Sequence, residues 1–95
     1  LVEETIINPY SDSKLSDTHF IRNFDIDVED EELIWHRDRK DREILVIKGE
    51  GWKLQFDNEL PKALQEGERY FIKAETYHRI LKGSTSLTLE IKEKE

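Results

Sequence analysis

Residues 52–57, WKLQFD, decide the fold. Trp52, Leu54 and Phe56 alternate with Lys53, Gln55 and Asp57. In an extended chain, successive side chains point to opposite faces, so the three apolar residues share one side. The same period of two returns further on, where Leu87, Leu89 and Ile91 alternate with Thr88, Glu90 and Lys92. Both segments read as half-buried strands. Residues 44–47 are apolar at every position, the pattern of a strand covered on both faces. Turn signals at 48–51 (KGEG), 57–59 (DNE), 65–68 (QEGE) and 82–86 (KGSTS) leave intervals too short for ordinary helices. Towards the start, residues 1–7 read as an edge strand, 8–17 as a polar turn-rich loop, and 20–27 as a second strand. Seven or more short strands with glycine-marked turns predict an all-β barrel or sandwich.

A chain of 95 residues supplies a single domain. It divides into N-terminal strands and a loop over 1–30 and a barrel core over 31–92. Charged residues make up 39 % of it, and 22 acids against 15 bases give a net charge of -7. Such a surface repels a polyanion, so nucleic acid is not an expected partner. No apolar run approaches the roughly 20 residues needed to span a bilayer, so no membrane partner is expected. The opening LVEETIINPY has neither the basic start nor the apolar middle of a signal peptide, and the expected location is the cytoplasm. With no cysteine, disulfides, thiolate metal sites and thiol catalysis are excluded, leaving imidazoles, carboxylates, amides and carbonyls as ligands. Six acids crowd residues 25–32, starting with Asp25 and Asp27, but Asp30 stands where a calcium loop needs glycine. That run reads as a solvated acidic turn.

Chemistry concentrates in residues 35–43, WHRDRKDRE. In a strand over 32–38, Ile34, His36 and Asp38 share one face, while Leu33, Trp35 and Arg37 share the other. A strand over 76–81 likewise puts Thr76, His78 and Ile80 on one face. A sheet closed into a barrel can bring these strands together. Two imidazoles and one carboxylate form the facial triad that suits Fe(II) or a similar divalent ion and leaves coordination positions open. Arg39 to Arg42 read as a turn before Glu43 begins the next strand. Glu43 is a further acid within reach of the triad, or else part of a surface ion-pair ladder. His19, beside Asp17 and Phe20, has no partner visible in sequence and reads as structural or exposed.

At these residues the chain resembles the small single-domain cupins, over about residues 30–92. The first cupin motif is glycine, five residues, His-x-His, three or four residues, Glu, six residues and Gly. Here His36, Arg37 and Asp38 stand in the His-x-His place, Glu43 follows after four residues and Gly49 after five more. In the second motif Gly67 and His78 match, whereas Lys73 replaces the proline, Glu75 the glycine and Lys82 the asparagine. The resemblance implies a double-stranded β-helix, a small jelly-roll barrel, with a metal held by His36, Asp38, His78 and, by position, Glu43. One residue is missing between Glu43 and Gly49, and a one-residue slip reverses a strand's faces, so Glu43 is discounted. The remaining His36-x-Asp38…His78 resembles the triad of double-stranded β-helix dioxygenases. Proximity to the motifs makes Trp52, Gln55, Phe56, Tyr70, Tyr77 and Arg79 pocket candidates, of which alternation lets only half the alternating neighbours face inward.

The expected function is therefore a cupin that binds a divalent ion (Fe, Mn, Ni or Zn) or a small polar ligand in the barrel mouth, with no turnover assigned. One alternative is a metal-dependent enzyme, Fe(II) oxygenase-like or sugar-isomerase-like. Another is a metal-free structural homodimer paired through its edge strands, and a homodimer is the expected assembly.

Overall fold

The computed structural model describes residues 10–28 and 33–94. The strand expected over 1–7 and the acidic residues 29–32 lie outside them. The described residues form eight strands: β1 (Tyr10–Lys14), β2 (His19–Phe24), β3 (Asp41–Lys48), β4 (Lys53–Phe56), β5 (Lys62–Ala63), β6 (Arg69–Ile72), β7 (His78–Leu81) and β8 (Leu87–Lys94). Five make one antiparallel sheet in the order β1-β2-β8-β3-β6, and three make a second in the order β5-β4-β7. From β3 onward the chain passes from one sheet to the other and back twice, as a jelly roll does.

The core forms where the apolar faces of the two sheets meet. Leu87, Leu89 and Ile91 of β8 and Leu54 of β4 are buried as the alternation predicts, joined by Trp52 just before β4. Burying a side chain of this size stabilises the fold by about 1.5–3 kcal/mol. Trp52 is completely covered, and its indole N–H donates to the Thr85 carbonyl at 2.7 Å. Gly83 permits this, because a Cβ there would run into the Glu50 carbonyl oxygen and the Trp52 backbone nitrogen.

Three expectations change. Residues 10–14, expected within a loop, are β1, paired to β2 from Tyr10 opposite Phe24 to Lys14 opposite Phe20. As an edge strand it buries little, and only Tyr10 is even half-buried, so no apolar alternation marks it. Polar contacts hold it instead: Arg22 donates to both Asp12 carboxylate oxygens at 2.8 and 2.9 Å and lies 3.5 Å over the Tyr10 ring. β2 stops at Phe24 and not at residue 27. There Asp25 accepts from the backbone N–H groups of Asp27 and Val28 and closes a turn.

The third change is in β3, where burial alternates. Ile44 and Val46 are buried, whereas Ile47 is 45 % exposed. Among the described residues the strand is covered on one face only, because none of them forms a further layer on the outside of the five-stranded sheet at this point. Two residues before Ile44, Arg42 therefore turns inward, and Glu43 turns outward. The strand also starts at Asp41, two residues earlier than expected.

Candidate metal centre

His78 opens β7, opposite Phe56 of β4, and only 3 % of it is exposed. It shares the inward face with Ile80, as the alternation predicts. His36 and Asp38 come from a different kind of structure. The strand expected over 32–38 is absent from the described residues 33–38, which make a single bridge to β7. The His36 N–H donates to the His78 carbonyl at 3.0 Å, and the His78 N–H donates back at 2.9 Å. Two residues on, the Asp38 carbonyl accepts from the Glu75 N–H at 2.7 Å. The ladder goes no further because Glu75 takes a left-handed conformation, with φ 61°, and the partner chain turns away. Two points of attachment keep residues 36–38 extended, so His36 and Asp38 still face the same way.

The side chains of His36, Asp38 and His78 converge, with ligand atoms all within 4.8 Å of one another. His78 Nε2 lies 3.3 Å from Asp38 Oδ2, and His36 Nε2 lies 3.8 Å from Asp38 Oδ1. Each Nδ1 contacts a backbone carbonyl: Ile34 at 3.0 Å for His36 and Thr76 at 2.8 Å for His78. A carbonyl can only accept, so each Nδ1 carries the hydrogen and donates it, and in the neutral ring Nε2 is left with a bare lone pair. Both lone pairs face the Asp38 carboxylate, whose Oδ2 is buried without a hydrogen-bond partner. A buried acceptor facing other acceptors is unfavourable by itself, and either a second proton on His78 Nε2 or a metal cation between the three groups removes the conflict. Carbonyls that fix the tautomer of ligating histidines are the usual support of a metal site. These three residues could hold a metal ion.

Burial pushes the Asp38 carboxyl up, but a hydrogen bond from His78, the Arg42 guanidinium and the positive charge of the two imidazoles when they carry a second proton together outweigh it and hold the group below its ordinary value. Asp38 is thus an anion at neutral pH, the form in which it ligates. Arg42 is the residue sequence reasoning missed. Its guanidinium lies 3.4 Å from Asp38 Oδ1 and donates to Glu93 at 3.2 Å. Counting back two positions from Ile44 would have found it. Glu43 stands outside the site. It pairs with Arg69 at 2.8 Å and Lys94 at 3.7 Å on the outer face, so the ion-pair ladder is its role.

A cavity of about 290 Å³ opens beside the triad, with His36 and His78 in its wall. The six expected pocket residues are not among those lining it. Trp52 is sealed in the core, and Tyr70 holds the β5 region through hydrogen bonds with Ala63 and Gln65. Phe56 packs near His78, with ring centres 6.3 Å apart, but from outside the cavity. Arg79 donates to Gln55 and covers Trp35, and Tyr77 is exposed. Wall positions belong instead to inward residues of the larger sheet and of β7, together with Leu33, Ile34 and His36 of the irregular segment. His19 finds its partner across the β2–β8 pair, 3.1 Å from Glu90.

No protein-family model and no curated protein matches the chain. Solved structures do. A cupin-2 domain protein from Shewanella frigidimarina superposes with a TM-score of 0.65 at 18 % identity, over 90 % of this chain and 79 % of that one. An RmlC-like cupin family protein from Methanocaldococcus jannaschii, described as a double-stranded β-helix, gives 0.64 at 18 %, over 97 % and 86 %. The Fe(II) form of HppE, with an alternative substrate, gives 0.62 at 21 %, over 80 % of this chain and 41 % of that chain. The described residues thus have the cupin fold, a double-stranded β-helix with a His36, Asp38 and His78 cluster at its cavity.

Proposed function

We propose that this chain is a small metal-binding cupin in which His36, Asp38 and His78 hold one divalent transition-metal ion beside a ligand cavity. One observation carries the reading: two imidazole lone pairs, each set by a carbonyl on Nδ1, face a carboxylate whose buried Oδ2 has no hydrogen-bond partner. Two nitrogens and one oxygen suit Fe(II), Mn(II), Ni(II) or Zn(II). A bound ion would act as a Lewis acid with positions open to the cavity. Around it, the chain's own residues have defined tasks. Thr76 and Ile34 orient the imidazoles through their carbonyls, Arg42 bridges Asp38 and Glu93 and so holds the carboxylate in place, and the apolar wall lines the cavity beside the ion.

Metal analysis of protein purified without a histidine tag tests this. About one equivalent of metal, or clear thermal stabilisation by one of the four ions, is the expected result, lost in His36→Ala and Asp38→Ala. Failure of all four ions to bind would sink the site. A metal-dependent enzyme is the second reading, favoured by the open side of the triad towards the cavity and by the fold likeness to Fe(II)-HppE. Metal-dependent turnover abolished by the same two substitutions would establish it, and metal binding without turnover across a substrate panel would leave a binding module.

A further inference from the structure

The cavity wall has a composition that selects among ligands. Leu33, Ile44, Ile72, Ile80, Leu89 and Ile91 form nearly half of it, and none can make a hydrogen bond through its side chain. A ligand hydroxyl buried against them would lose its water without replacement, which weakens binding by about tenfold per group. Polar groups gather at the triad and the two arginines. Arg22 spends Nε and one terminal nitrogen on the two Asp12 oxygens and stacks on Tyr10, and it makes no hydrogen bond or ion pair to the triad among the described residues. Arg42 uses Nε and one terminal nitrogen on Glu93 and turns the other towards Asp38, so each terminal nitrogen keeps a second hydrogen to donate.

Charge points the same way. The Arg22–Asp12 and Arg42–Glu93 pairs each cancel, so a divalent ion against the single Asp38 carboxylate leaves one net positive charge at this end of the cavity. Its volume of about 290 Å³ corresponds to roughly ten waters at about 30 Å³ each. From these observations we infer that the cavity takes a small monocarboxylate with a hydrocarbon body, its carboxylate at the triad and Arg42 and its body against the isoleucine and leucine wall. A sugar does not fit this wall. The inference rests on the metal site proposed above.

Calorimetric titration of the Mn(II)-loaded protein with hexanoate, hexanol and glucose separates the parts. Hexanoate should bind at least about tenfold tighter than hexanol, which lacks the charge, and tighter still than glucose. Shortening the acid to butyrate should weaken binding about fourfold per methylene removed. Ile34→Ser alters a wall residue that is itself well exposed. Folding should therefore be kept, and hexanoate affinity should fall severalfold. Glucose binding as tightly as hexanoate, hexanol matching it, or hexanoate failing to bind a protein that has taken up Mn(II) would each overturn the inference while leaving the metal site standing. Absence of Mn(II) uptake, read before any ligand is added, would overturn both.

Discussion

The two sides of the metal centre are built differently. His78 is on a strand, buried, paired to β4 and backed by the core. His36 sits in an irregular segment with its side chain 44 % exposed, joined to β7 by one bridge and, through Asp38, to Glu75. A strand places a ligand through burial it would have anyway, whereas an irregular segment places one only through a few specific hydrogen bonds. One side of the site is therefore part of the stability of the fold, and the other is attached to it.

The largest expected effect tests the framework behind the rigid side. Trp52→Ala should destabilise the protein by about 3–5 kcal/mol, while Trp35→Ala, on the irregular side, should cost below about 1 kcal/mol. Urea unfolding monitored by circular dichroism measures both, and similar losses would break the contrast. Next come the two histidines in metal-free protein. His78→Ala should cost about 2 kcal/mol, from a vacated buried space beside an acid left without its neighbour. His36→Ala should stay within about 0.5 kcal/mol, although both should abolish metal uptake. Equal stability losses would show that the bridge segment is as integral as the strand.

A third, smaller effect is on the acid side of the pH profile. Folding lowers the Asp38 pKa below its ordinary 3.8. The stability it adds to metal-free protein is present above that value and disappears as pH falls through the lower folded value. Asp38→Asn should flatten this part of the profile in chelator-treated protein. An unchanged acid limb would contradict the charge balance drawn around Arg42 and His78. The smallest effect concerns Glu75, whose left-handed backbone costs a side-chain-bearing residue about 1–2 kcal/mol, partly offset in glycine by about 0.5–1 kcal/mol of chain entropy. Glu75→Gly should raise stability by roughly 0.5 kcal/mol, because the pair it removes, Arg37 Nε to the Glu75 carboxylate at 3.3 Å, is exposed on both sides and such pairs are worth little. A marked loss would mean that this pair anchors the irregular side.

The same contrast governs what could be read from the residues alone. Alternation at 52–56 and 87–91 was legible because those strands each bury one face and wet the other. At 44–47 the pattern misled, since Leu45 and Ile47 are apolar yet half-buried and exposed, with no layer of the described residues over them. β1 was invisible, because an edge strand held by Arg22 and Asp12 has no apolar period. His36, Asp38 and His78 were legible as residue types on shared faces. The cavity wall was not, since it draws on strands that are far apart in sequence.

By itself, then, the sequence determined the all-β class, the inward faces of β4 and β8, and the three residues able to ligate, because a period of two is a local property of the extended chain. Only the tertiary structure decided that β8 lies between β2 and β3, that Arg42 turns inward while Glu43 turns out, and that Asp38 meets both imidazoles. Those outcomes depend on register and on which sheet each strand joins. Long-range hydrogen bonds and shared burial set both, and no window of neighbouring residues contains them.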